Sequence, residues 1–157
     1  MSTPQPEPVL VDVNEMTTAV IRGVVDMAEI AAFFDSSFSR LAPVVAGQGV
    51  AIVGPAFGLY HGAPGAVADL EVGFPTAGTV ESDGDVVASR LPGGRVARLV
   101  HEGSFDRLGE SWLRLAEWIG AAGLTPGRDQ WEVYVTEPSP DMNPADLRTE
   151  LNWPVTG

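Results

Sequence analysis

Short valine-rich stretches with partial alternation of apolar and polar positions occur at Ala19–Val25 (AVIRGVV) and Arg95–Val100 (RVARLV), and each predicts a strand. A helical period follows each of them. Ile30, Phe33, Phe34, Phe38, Leu41, Val44 and Val45 carry it in the first case, and Phe105, Leu108, Trp112, Leu115, Trp118 and Ile119 in the second. The glycine-bearing segments AGQG and GAAG stop the two helices, and Pro43 is expected to kink the first or end it early. Two more strands complete each half: Phe57–His61 with Asp69–Phe74, and Trp131–Thr136 with Leu147–Trp153. GAPGA and EPSPDMNPAD join them as loops, and Pro75 and Pro154 are expected to close the last strands. The connector ESDGDVVASRLPGG between the halves can hold a short strand at Val86–Ala88, and Met1–Pro8 is expected to be disordered.

The two halves are copies of one unit. With an offset of 74 residues, Ser37 falls on Ser111, Arg40 on Arg114, Leu41 on Leu115, Gly49 on Gly123 and Tyr60 on Tyr134. Phe38 then meets Trp112 and Phe57 meets Trp131. Past the longer second loop the offset becomes 79, and DLEVGFP answers LRTELNWP, with Glu71 on Glu150 and Pro75 on Pro154. The unit is β-α-β-β, once over about residues 9–78 and again over about 84–155. Two such units make a single domain over 9–157. The fold class expected is α+β: a tandem repeat with pseudo-twofold symmetry. A concave antiparallel sheet would have two helices behind it and a ligand cleft between the repeats.

One short stretch departs from the strand pattern. In WEVY, a lone acid, Glu132, stands among strand-forming residues. Trp131 and Val133 share one face, Glu132 and Tyr134 the other. The apolar pair is expected to pack on the helices, leaving Glu132 and Tyr134 to the groove. The matching positions of the first copy are Gly58 and Tyr60, and a glycine there leaves space for a ligand.

Composition narrows the chemistry. The 157 residues, 45% of them hydrophobic, are enough for one real core. A net charge of −12 argues against nucleic-acid or anionic-membrane partners and permits cationic ligands. With no cysteine there is no disulfide or thiolate chemistry, and with no lysine no Schiff base. His61 and His101 lack metal-ligand spacing and a triad arrangement, so neither a metal nor a cofactor is expected. Each is expected to cap or hydrogen-bond a loop. LPGGR and AGQG lack nucleotide-loop spacing. Glu71 and Glu150 are expected to be structural, paired with Arg40, Arg114 or loop amides. No window is apolar enough for a membrane span and no leader pattern opens the chain, so a cytoplasmic protein is expected.

Taken in order, GPAFGLYHG, ADLEVGFP, RLVHEGSFDRLGESWLRLAEWI, WEVYVTEP and LRTELNWPV resemble the GyrI-like domain, also called the AraC-type bacterial effector-binding domain. The likeness runs from about Val9 to Val155. It implies a tandem β-α-β-β fold with a cleft for small lipophilic, aromatic or cationic compounds, as in drug sensors. It also implies the cleft carboxylate for Glu132, lining positions for Tyr134 and Tyr60 beside Gly58, and cleft aromatics for Phe105 and Trp112. Other members of that family hydrolyse cyclopropane-type toxins, with Glu132 then catalytic, or inhibit a topoisomerase through a protein interface. A helix-turn-helix has no room before Val9 or after Gly157, so direct DNA binding is not expected.

Overall fold

The computed structural model describes residues 7–62, 65–136 and 141–157. Most of Met1–Pro8, for which disorder is expected, lies outside the described residues, as do parts of the GAPGA and EPSPDMNPAD segments. In chain order the strands are β1 (Val9–Val13), β2 (Met16–Asp26), β3 (Phe57–His61), β4 (Val67–Pro75), β5 (Val86–Leu91), β6 (Gly94–Glu102), β7 (Thr125–Pro126), β8 (Asp129–Tyr134) and β9 (Arg148–Thr156). The helices are α1 (Ile30–Gly47) and α2 (Leu108–Ala121), each preceded by a one-turn 3-10 segment.

The repeat is present as expected, β2-α1-β3-β4 and then β6-α2-β8-β9. All pairings are antiparallel, in the order β1-β6-β9-β8-β3-β4-β2-β5, with the short β7 on the end of β9. The copies join where β3 pairs β8, with Gly58 opposite Glu132 and Leu59 opposite Trp131. Each helix ends at a glycine in the left-handed region, Gly49 and Gly123. Pro43 does not end α1 early. Its ring is exposed, and Leu41 and Val45 on the inner side stay fully buried through the last turn.

An outer strand beyond the β-α-β-β repeat belongs to each unit and is exchanged between them. β1 precedes the first unit but pairs with β6 of the second; β5 precedes the second unit but pairs with β2 of the first. The two linkers cross, and a Cβ on Gly93 would come within 2.7 Å of the Glu15 backbone nitrogen, so the crossing needs a residue without a side chain. The exchange curls the sheet into a half-barrel. Val11 and Val13 from one edge and Val87 and Leu91 from the other meet one cluster with Val20, Phe57, Leu59, Val96 and Trp131.

That cluster corrects the expected layering. Trp131 and Val133 face the curled inside of the sheet, away from the helices. α1 and α2 cover the other face, on Ala19 and Ile21, on Leu70 and Val72, and on Ala97, Leu99 and Leu151. The acid therefore lies under the helices, because the helix-free face closes its own core by curling. Pro154 likewise does not end its strand: β9 runs on to Thr156, where β7 pairs with it, and the Pro154 carbonyl accepts from Gly127 N–H at 2.7 Å.

Candidate ligand-binding site

Strand alternation puts Gln130, Glu132 and Tyr134 of β8 on the helix-covered face, beside Gly58 and Tyr60 of β3. α1 brings Phe34 over them, and α2 with the turn before it brings Trp112 and Phe105. The Trp112 indole N–H donates to one oxygen of Glu132 and the Tyr134 hydroxyl to the other, each at 2.9 Å. The rings of Phe34 and Phe105 stand edge-on to Tyr134 at 5.9 and 6.0 Å between centroids, and Trp112 packs edge-on against Trp153 at 5.7 Å. Glu132 is only 6% exposed, whereas Phe105 at the mouth is 39% exposed. The six residues singled out in the sequence thus form one cluster, and the cleft is closed over the acid by its own aromatic rings.

Burial pushes the Glu132 carboxyl above the usual carboxylate range. The two donors and the nearby His101 pull it back without cancelling that effect. Burial, and then the charge of Glu132, raises both Tyr60 and Tyr134, so the phenols stay protonated. No arginine salt bridge reaches Glu132 among the described residues; Arg22, Arg40, Arg98, Arg114 and Arg148 pair elsewhere. A buried acid held by neutral donors, with no arginine paired to it among the described residues, is an electrostatic arrangement that a cationic ligand would complete.

Gly58 is what lets the cluster close. A Cβ there would meet the Tyr134 hydroxyl oxygen at 3.0 Å and the Phe34 ring at 3.1 Å. Gly58→Val is expected to overpack this point and destabilise by about 1–3 kcal/mol, read as a lower denaturation midpoint. It should also displace Tyr134 from Glu132, read as a shift in tyrosine absorbance.

Several residues gained their places only in three dimensions. Phe34 looked like any member of a helix stripe; the one signal for it was the glycine it packs against. His101 is buried in β6, where its ring meets the Ser111 hydroxyl at 2.6 Å and the Ser104 carbonyl at 2.8 Å. The loop contact agrees with expectation, whereas its position behind Glu132 had no sequence signal. His61 is not a cap: its ring bridges Glu71 at 2.6 Å and Asp129 at 3.3 Å. Burial pulls its pKa down, but these two carboxylates outweigh it and raise the value. The expected partners of the paired glutamates are also corrected. Glu71 meets His61 and Arg22, and Glu150 meets Arg98 and Asn152, all on the helix-free face. Arg40 and Arg114, on the helices, reach Asp85 and Glu7 instead.

The curled sheet is roofed by two helices, and an aromatic cluster between them packs over one buried acid. The family model described as GyrI-like small molecule binding domain matches residues 6–156, nearly the whole chain, and the chain belongs to that family. Among solved structures, the C-terminal domain of EcmrR superimposes with a TM-score of 0.78 at 20% identity, covering 96% of this chain and 98% of that one. EcmrR in its DNA complex gives 0.80 at 18% identity, and there the match covers 96% of this chain but spans only 57% of the EcmrR chain. SAV2435 bound to tetraphenylphosphonium gives 0.67 at 15% identity, covering 96% of this chain and 94% of that one. A hydrolase from Listeria innocua gives 0.66 at 17%, covering 98% and 94%. At these identities the likeness is one of fold. No helix among the described residues is long and apolar enough to cross a membrane.

Proposed function

We propose that this domain, taken as one module over residues 9–157, binds lipophilic aromatic cations in the cleft between α1 and α2. Glu132 is the counter-charge, and Phe34, Phe105, Trp112, Tyr60 and Tyr134 supply stacking surface. The observation that carries the reading is the buried carboxylate with neutral donors and no arginine partner among the described residues, ringed by aromatic faces and edges. A cation entering under Phe105 recovers the Coulomb attraction that the closed cleft lacks. The phosphonium bound by SAV2435, which shares the fold, supports that ligand class. The role that follows is sensing or sequestering toxic compounds.

The test is thermal denaturation against lipophilic cations and size-matched neutral aromatics. A ligand at 100 times its Kd stabilises by about 2.7 kcal/mol. For a chain of this size that is a rise of roughly 5–10 °C, expected with cations and not with neutral compounds. Because burial raises the Glu132 pKa, cation affinity is expected to fall as pH drops through that raised value, already above the usual carboxylate range. Titrations in buffers of different ionisation enthalpy should then report proton release on binding. Equal responses to neutral compounds, or affinity independent of pH, would count against the reading.

The same geometry favours one second reading. A carboxyl whose pKa is raised by burial, beside a tyrosine hydroxyl, can serve as general acid in the hydrolytic opening of a strained electrophilic ring. The Listeria innocua hydrolase of the same fold supports asking the question. Product analysis separates the readings, since a receptor returns its ligand unchanged.

A further inference from the structure

Two further polar atoms lie buried on the helix-covered face of the sheet, on β8 and β9 near Glu132. Gln130 is 3% exposed and Thr149 is fully buried, and no protein group among the described residues hydrogen-bonds Gln130 Oε1 or Thr149 Oγ1. Gln130 shares the face of Glu132 two residues along β8, roughly 6.6 Å away along the strand, and stands opposite Tyr60. Thr149 on β9 stands opposite both Tyr134 and His101, so its side chain lies between theirs. Neither neighbour serves it. The Tyr134 proton is committed to Glu132, and both ring nitrogens of His101 are engaged by Ser111 and Ser104. Two other orphaned atoms, on Thr18 and Glu71, belong to the opposite, helix-free face.

An orphaned polar atom in a core costs stability, and a site that keeps such atoms discriminates against partners that cannot satisfy them. We propose that the cleft is built for a cation bearing two or more N–H bonds, a primary ammonium or an amidinium on an aromatic body, rather than a permanently quaternary one. Resting on the reading of the cleft as a cation site, the proposal gives one N–H to Glu132 and another to Gln130 Oε1, with the Thr149 hydroxyl free to meet a second polar group. A quaternary cation satisfies Glu132 by charge alone and leaves Gln130 and Thr149 as they are.

The test compares naphthylmethylammonium with its N,N,N-trimethyl salt, by calorimetry at fixed pH, on the full chain. The first is expected to bind at least about tenfold tighter to the natural protein. In the double variant Gln130→Met, Thr149→Val that advantage should shrink to within about twofold. The same variant, free of ligand, should melt at or near the natural temperature, since it removes the two orphaned oxygens without opening a cavity. Equal affinities for the two salts in the natural protein would overturn the inference while leaving the cation site standing. So would an advantage that survives in the variant, or a ligand-free variant that melts several degrees lower, which would reveal a structural role for the pair. If neither salt binds, the cation site and this inference fall together.

Discussion

Glu132→Gln is expected to abolish stabilisation by cations while raising the melting temperature of the ligand-free protein. The two effects have one origin. The carboxylate is buried without an arginine partner, and its pKa is raised by that burial. A raised acid pKa means that the ionised form weakens the fold: the stabilising contribution is complete below the unfolded pKa and is lost as pH rises through the folded one. At neutral pH the natural side chain is therefore a liability until a cation arrives. Glutamine keeps the shape and the hydrogen bonds, because its oxygen can accept from Trp112 and its amide can donate to the Tyr134 hydroxyl. It removes the charge and reverses the bond to Tyr134. Losing one member of a desolvated charge pair weakens binding by about 2–5 kcal/mol, which is roughly 30-fold or more in Kd. Thermal scans of both proteins across pH, with and without a lipophilic cation, read both effects. A purely structural acid would give a lower melting temperature in the variant and no change in ligand response.

Trp131→Ala is expected to be the most destabilising single change in β8, by about 3–5 kcal/mol, with a fall in melting temperature of roughly 10 °C. Trp131 is 4% exposed and fills the helix-free core with Val20, Phe57, Leu59, Val96 and Leu91. That core is where strands from both edges of the sheet converge, so a cavity there loosens the seam between β1 and β5 as well as the contacts of β8. Truncating a residue that packed only on a helix would spare the edges. Hydrogen exchange can tell the cases apart: protection should drop in β1 and β5, not only in β3 and β9.

Much of this fold was legible before any coordinates. The strand at Phe57–His61 has the limits expected of it, and the two helices and their glycine stops stand where period and turn chemistry placed them. Duplication did most of that work, since each copy corroborated the other. β1 was not legible there, because VLVDV follows a proline-rich segment and its counterpart, β5, lies in the connector outside the β-α-β-β repeat. Overreach came at Trp131 and Val133. An apolar pair on one face of a strand reads as the helix-facing side, and here it faces the inside of a curl.

The candidate site divides in the same way. That Glu132, Tyr134, Gly58 and Tyr60 share one face follows from alternation along β8 and β3 and from the repeat that makes them equivalent, both local properties of the sequence. The sequence by itself thus determined the elements, their order, their doubling and the set of side chains that share a surface. Only the tertiary structure decided which surface the helices roof, how deeply Glu132 is buried, and that Phe34, His101, Gln130 and Thr149 join it. Those outcomes depend on the exchange of β1 and β5 between the units. Those contacts each span about half of the chain, and their register is set by the packing of a curled core rather than by any local pattern.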